Sequence, residues 1–353
     1  MKFFDSLIAS VHRETADAVS IYIIKPHDYP PHLAGQYCAV EMEIDGHKDR
    51  RSYSFSNTTS ESYLRLTIKE IEGGVFSKYF NKKASSGMKI RISEPQGNFV
   101  LPKTSGPCHL VFVAGGSGIT PCFSMISSVL STEPQSRVTL FFSNKTSKDV
   151  IFRQELERLS EAHSQFRAVF IFSQQDTESP LEHGRIEYGK MLELMEKFCR
   201  DAMSKDFFLC GPGGMIDSAK AAILDLGFSQ DSIHTELFKP TGTKTGVDGG
   251  AQTSAMALAG TAKVSAILDS QTFDFNLDAS GDSILDTLLD MGADAPYACK
   301  GGVCTSCKAK LMEGTVHMDD NYALTKKEIA AGYILTCQSH PTSDRVVLTY
   351  DGI

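Results

Sequence analysis

No stretch of the 353-residue chain approaches the roughly 18 consecutive apolar residues that a membrane-spanning helix needs, so no bilayer span is expected. Positive charge is also short. The formal net charge is −8, and no basic field points to nucleic acid or an anionic lipid surface. The ten histidines show no metal-like clustering. The opening MKFFDSLIAS meets Asp5 almost at once, and His12, Arg13 and Glu14 follow, which makes a poor secretory leader. Internal repeats and long low-complexity tracts are missing, so nothing suggests a solenoid. Of nine cysteines, Cys38, Cys108, Cys122, Cys199 and Cys210 form an odd, scattered set. That fits a reducing compartment, and the cytoplasm is the expected location.

What is present divides into three textures. Residues 1 to about 105 read as short strands such as Val19–Ile24, Tyr37–Ile44 and Tyr63–Ile68. Pro, Gly, Asp and Asn punctuate them, the pattern of a small antiparallel β-barrel. From about 106 to 238, apolar strands (Leu110–Ala114, Val138–Ser143, Ala168–Ser173, Phe207–Cys210) alternate with helical stretches at 121–130, 151–159, 189–199 and 215–226. That rhythm predicts an α/β domain with a parallel sheet. Residues 239–262, rich in Thr, Gly, Ala and Ser, read as a linker. Residues 263–353 read as a small α+β domain: a hairpin, a helix capped at Ser283 by a capping box with Asp286, then a cysteine loop and further strands. This last region holds 13 acidic against 7 basic residues, a surface suited to a basic redox partner, although solvation alone explains any single carboxylate.

The cysteine loop carries the most specific signal. Cys299, Cys304 and Cys307 are spaced C-x4-C-x2-C, with Cys337 far downstream, which is the plant-type [2Fe–2S] arrangement. A structural zinc site more naturally pairs its ligands as C-x2-C with a second C-x2-C. A disulfide framework belongs to small secreted chains. Gly301 and Gly302 let the backbone curl without Cβ clashes. The chain therefore transfers electrons.

A cluster takes one electron at a time whereas a nicotinamide gives hydride, so a flavin is expected between them. Arg51-Ser52-Tyr53-Ser54 is suited to it: alternate residues of an extended strand share a face. Arg51 suits a phosphate, Tyr53 an isoalloxazine ring and Ser54 its N5 edge. A strand with a buried tyrosine reads equally well for the tetrapeptide alone. Gly73-Gly74-Val75-Phe76-Ser77 then reads as a glycine turn opening a helix, whose free amides and dipole bind phosphate. Ala114-Gly-Gly-Ser-Gly-Ile-Thr-Pro121 stands between strand and helix, and Cys210-Gly-Pro-Gly-Gly214 ends a later strand. Neither is the G-x-G-x-x-G fingerprint, yet both turns belong on the rim where open α/β sheets bind ligands.

These motifs, in this order and over nearly the whole chain, resemble the ferredoxin–NADP reductase superfamily with a plant-type ferredoxin module, a β-grasp fold, at the C-terminus. The resemblance implies an NAD(P)H:acceptor oxidoreductase that binds FAD, less readily FMN. Arg51, Ser52, Tyr53, Ser54, Lys69, Gly73, Gly74, Val75 and Ser77 would hold the flavin. Gly115, Gly116, Gly118, Thr120, Pro121, Lys145, Cys210 and Gly211 would hold the nucleotide. Ser54, Cys210 and Glu236 would stand nearest the hydride transfer. Asn144-Lys145 and Ser173-Gln174 replace the arginines common in NADPH-specific relatives, which leaves NADPH and NADH both open. An oxygenase is the implied partner. A hybrid-cluster protein or a desaturase would use the same internal chemistry, and a degenerate redox carrier or sensor is the non-catalytic alternative.

Overall fold

A computed structural model describes residues 1–353 apart from 45, 103–105, 239–259 and 353. The chain forms two compact units, Lys2–Phe238 and the described residues beyond it. The expected linker lies outside the described residues as far as 259, and a strand already begins at Thr261. Among the described residues no helix is long and apolar enough to cross a membrane.

The first unit opens with strands β1 (Phe3–Thr15), β2 (Ala18–Ile24), β3 (Tyr37–Ile44), β4 (His47–Ser54) and β5 (Tyr63–Lys69), then helix α1 (Val75–Lys83) and strand β6 (Lys89–Ser93). They pair antiparallel in the order β4-β3-β6-β1-β2-β5. A bridge between Phe55, just past β4, and Leu66 of β5 joins the two ends into a barrel. Strand β1 does not alternate in sequence, because its register slips between Ile8 and Ser10 and again between Arg13 and Thr15. Such bulges bend a strand, and β1 pairs β6 through Phe3–Leu7 and β2 from Ile8 onward. Ile8, Ile21, Ile23, Phe55, Leu64 and Leu66 fill the interior.

The same unit continues with β7 (His109–Gly115), α2 (Ile119–Thr132), β8 (Arg137–Asn144), α3 (Arg153–Ala162), β9 (Phe166–Phe172), α4 (Tyr188–Phe198), β10 (Lys205–Gly211), α5 (Gly213–Asp225) and β11 (Ile233–Leu237). Every strand pair is parallel, in the order β11-β10-β7-β8-β9. Strand β7 is buried along its whole length, as expected for the middle of a sheet covered on both faces. Helix α3 starts later than its apolar pattern suggests, because Phe152 takes a left-handed conformation (φ 60°) at its N-cap.

The second unit contains β12 (Thr261–Leu268), β13 (Gln271–Asp278), α6 (Ile284–Asp290), β14 (Lys308–Glu313), β15 (Val316–Met318), α7 (Lys326–Ala330), β16 (Tyr333–Leu335), β17 (Ser339–Pro341) and β18 (Arg345–Thr349). A mixed sheet runs β13-β12-β18-β14-β16, with β12 and β18 parallel, and β15 pairs β17. The β12–β13 hairpin turns on Asp269 (φ 49°) and Ser270 (φ 63°), the two positive φ values of a I′ turn. The Asp351 carboxylate accepts both of their amides at 2.8 Å, which helps non-glycine residues hold this shape. At α6, Ser283 Oγ accepts the Asp286 amide at 3.1 Å. The Asp286 carboxylate bonds back to the Ser283 hydroxyl at 2.7 Å, so only one half of the expected capping box forms.

Candidate functional site

On the barrel, β4 brings Arg51, Ser52, Tyr53 and Ser54 together along one strand, paired with Tyr37–Val40 of β3. Arg51 forms an ion pair with Asp49 and donates to the Arg50 carbonyl at 2.6 Å. A carboxylate partner for this arginine was not foreseen. Tyr53 stacks on Phe76 of α1, centroids 6.0 Å apart, and burial pushes its phenol well above the usual range. Ser52 Oγ is buried without a hydrogen-bond partner, and Ser54 is buried beside it. Gly73 has φ 73° and leads into α1, whose N-terminus has no side-chain cap. That leaves the first amides of α1 for an anion. Gly74 is required for packing, because a Cβ there would stand 2.5 Å from Ile71 and 2.7 Å from Ser77 Oγ. Val75 is 62% exposed at the mouth of the turn. Ser77 is turned inward, where its Oγ accepts the Ile71 amide at 3.2 Å. Lys69 pairs with Asp17 at 2.9 Å.

In the parallel sheet, the turns after β7 and β10 meet, because Ala114 and Cys210 are register neighbours. A Cβ on Gly118 would lie 2.2 Å from the Cys210 carbonyl oxygen, and one on Gly211 would lie 2.9 Å from the Gly115 nitrogen. One on Gly115 would lie 2.7 Å from Pro212. These glycines let two turns pack backbone against backbone. Gly116 differs: it has φ 53° and nothing within 4 Å of its Cβ position, so it faces open space where a dinucleotide would approach. Neither α2 nor α5 has a side-chain cap. Thr120 and Pro121 are buried, and the Thr120 hydroxyl donates to the Ser117 carbonyl at 3.0 Å. Glu236 of β11 lies opposite Cys210 in register. Burial first, then the charge of Glu236, pushes the Cys210 thiol well above its ordinary value. Lys145 is exposed past the end of β8. Next to it, both amide atoms of buried Asn144 lack a hydrogen-bond partner.

In the second unit, Cys299, Cys304 and Cys307 share one loop, and Cys337 returns in the 3-10 turn after β16. All four are free thiols. Cys299 and Cys304 sulfurs are 3.0 Å apart, and the Cys337 side chain next to Cys307 raises the Cys307 thiol above its ordinary value. Among the described residues no three His, Cys, Asp or Glu side chains close on a single-ion position. Four thiols gathered from one loop and one returning turn are the donor set that two irons, each held by a pair, would use. The Gly301 amide donates to Cys299 Sγ at 3.3 Å and Gln338 Nε2 points at Cys337 Sγ at 3.7 Å. Gly302 has φ 69°, and a Cβ there would meet the Asp320 carbonyl at 2.7 Å. Its freedom therefore serves the neighbouring 320–322 loop as well as the cysteine loop.

A flavin-type barrel, a nucleotide-type parallel sheet and a ferredoxin-type unit with four gathered thiols define an iron–sulfur flavoprotein oxidoreductase. Residues 24–101 match an oxidoreductase FAD-binding domain, 112–221 an oxidoreductase NAD-binding domain, and 267–342 a 2Fe-2S iron-sulfur cluster binding domain. The chain is 37% identical to one of the subunits of the 1,2-phenylacetyl-CoA epoxidase of Escherichia coli K12, over 99% of each chain. It is 30% identical to the ferredoxin reductase component of 3-ketosteroid-9-alpha-monooxygenase from Mycolicibacterium smegmatis, over 98% of this chain and 96% of that one. The solved structure of phthalate dioxygenase reductase covers 98% of both chains with a TM-score of 0.66 at 24% identity, a likeness of fold. The chain belongs to the ferredoxin–NADP reductase superfamily, in the branch that carries a C-terminal [2Fe–2S] domain.

Proposed function

We propose that this reductase draws electrons from NAD(P)H and delivers them to an oxygenase, specifically a di-iron enzyme of the phenylacetyl-CoA epoxidase type. The observation that carries this reading is the 37% identity to an epoxidase subunit over 99% of both chains, including all three cofactor-binding regions. When bound, FAD would supply the exchange between a two-electron hydride and single electrons, and a [2Fe–2S] group would supply one-electron transfer.

This chain's own residues supply binding, orientation and electrostatics. Arg51 and the uncapped α1 N-terminus hold the flavin's phosphates, and Tyr53, Ser52 and Ser54 position its ring. Gly116 and the α2 and α5 N-termini receive the nucleotide's phosphates. Cys210 offers a small neutral surface beside the nicotinamide, because its buried thiol stays protonated at neutral pH. Glu236, its register neighbour, places a carboxyl at the end of the same sheet. Lys145 is the cation available to a ribose phosphate. The division is into 1–105, 106–238 and a C-terminal region that starts with β12 at Thr261 rather than at 263, and the reducing cytoplasm is the setting its free thiols suit.

The test is reconstitution. The purified chain should release FAD on denaturation, and either NADPH or NADH should bleach its flavin absorbance. Addition of the chain to a di-iron epoxidase component should then support NAD(P)H-dependent epoxidation of phenylacetyl-CoA. Full flavin bleaching with no epoxidation would overturn the partner while leaving the reductase.

A further inference from the structure

We infer that Arg65, together with Ser124 and Glu155, forms a strut that fixes the flavin-side strand end against the nucleotide-side helices, so that Arg65 is a positioning residue for hydride transfer. The inference rests on the reading that a nicotinamide held on the glycine turns meets a flavin held on the barrel.

The chain leaves Ser54 and runs through Phe55, Ser56 and Asn57, which are all 2% exposed or less. Their polar groups need partners, and Arg65 of β5 supplies them. Its Nη2 donates to the Ser56 carbonyl at 2.7 Å, and its Nε to that carbonyl and to Ser56 Oγ at 3.2 Å each. The Arg65 backbone amide donates to Asn57 Oδ1 at 2.9 Å. Asn57 Nδ2 in turn donates to the Thr58 and Tyr63 carbonyls at 2.9 Å each. The strand end directly after the flavin motif is thus tied on every side.

The other half of the unit grips the same knot twice. Ser124 Oγ of α2 donates to the Asn57 carbonyl at 2.7 Å, one turn beyond Thr120 and Pro121. Glu155 of α3 accepts from Arg65 Nη1 at 2.7 Å. The guanidinium also lies over the rings of Phe152 (4.5 Å) and Phe123 (5.0 Å), both on the nucleotide side. Only a planar fork can donate in three directions while stacking on two rings, so lysine is no substitute here. Ion pairing alone would add little with the Glu155 side chain 35% exposed. The linkage depends on geometry: Ser54 and the start of α2 cannot shift relative to one another without breaking buried hydrogen bonds. Misplacement of reacting groups by about 1 Å can slow a reaction by about a hundredfold.

The experiment compares wild type with Arg65→Lys, Glu155→Gln and Ser124→Ala in the full chain. Amide hydrogen exchange of the purified protein reads the strut without catalysis, since the Phe55 and Ser56 amides donate to the Gln36 and Arg65 carbonyls. All three variants should speed exchange at Phe55–Thr58 and in the first turns of α2 together, by about threefold for the two mild changes. Stopped-flow bleaching of flavin by NAD(P)H should slow about tenfold or more in Arg65→Lys at saturating nucleotide, with flavin content kept. Unchanged exchange in Glu155→Gln and Ser124→Ala would overturn the strut even if Arg65→Lys fails to fold. So would a defect confined to KM. A wild-type flavin that neither nucleotide reduces would instead overturn the functional reading, and the exchange result would still decide the strut.

Discussion

In the second unit, the candidate site is four cysteine side chains, three from one loop and one returning after β16. In the first unit, the candidate sites are built mostly from backbone: an uncapped helix start at α1, another at α2, and glycine turns whose neighbours leave no room for a Cβ. A ligand made of thiolates must appear in the sequence as cysteines at a workable spacing. A ligand made of amides needs only a turn of the right shape, which many sequences can form. The contrast explains why Cys299, Cys304, Cys307 and Cys337 are legible singly, whereas Gly115, Gly118 and Gly211 acquire meaning only when the two turns are seen to touch.

Replacing a thiol should give the largest effect and the cleanest separation of the two units. Cys304→Ser should remove the visible circular-dichroism signature of the [2Fe–2S] group and lower NAD(P)H-dependent reduction of a one-electron protein acceptor by about a hundredfold. Reduction of ferricyanide, which flavin can serve directly, should stay within about twofold. Equal loss of both would show that the units are not separable in this way.

Two glycine substitutions then divide packing from approach within the first unit. Gly118→Ala drives a Cβ to 2.2 Å from the Cys210 carbonyl oxygen and should cost about 3 kcal/mol in urea denaturation, as overpacking does. Gly116→Ala meets no atom within 4 Å and should cost only the left-handed penalty of about 1–2 kcal/mol, while raising the KM for the nucleotide. If the two variants were equally destabilised, the division between packing and approach would not hold.

A smaller effect concerns acid stability, and in the barrel it falls on His32. His32 is 2% exposed and packs at a tilt against Phe55, ring centroids 4.3 Å apart. Burial pushes its imidazole down to about 4, against a weaker upward pull from the Asn57 backbone. The folded state therefore binds fewer protons than the unfolded one between that value and about 6.5. Its contribution is present above pH 6.5 and is lost as pH falls, by about 2 kcal/mol at pH 5. His32→Phe should flatten that part of the stability curve relative to wild type, and an unchanged slope from pH 7 to 5 would remove His32 as its source.

Much of the fold could be read in advance because local pattern and tertiary role agree. The apolar runs of β7, β8 and β10 are buried strands, and their helices follow at the expected places. Strand β1 was not legible, since its two register slips break the period of two that marks a half-buried strand. Arg65 was not legible either. A charged residue in an alternating strand reads as solvent-facing, and only the packing of α3 against the barrel buries this one beside Glu155. Ser77 adds a contact that its place in the glycine turn does not show: its Oγ accepts the Ile71 amide, which holds the turn and leaves the O–H to donate.

Sequence alone determined the kind of chemistry, because four cysteines at C-x4-C-x2-C with a distant fourth admit few other ligands, and because the order of motifs marks a family. The tertiary structure decided which groups stand together. It brought Cys337 back to the loop of the other three cysteines, laid the turn of Cys210 on that of Gly118, and tied the chain after Ser54 to α2 through Ser124 and to α3 through Arg65. Spacing along a chain constrains what one loop can hold. Contacts between distant segments depend on how whole elements pack, and no local pattern records that.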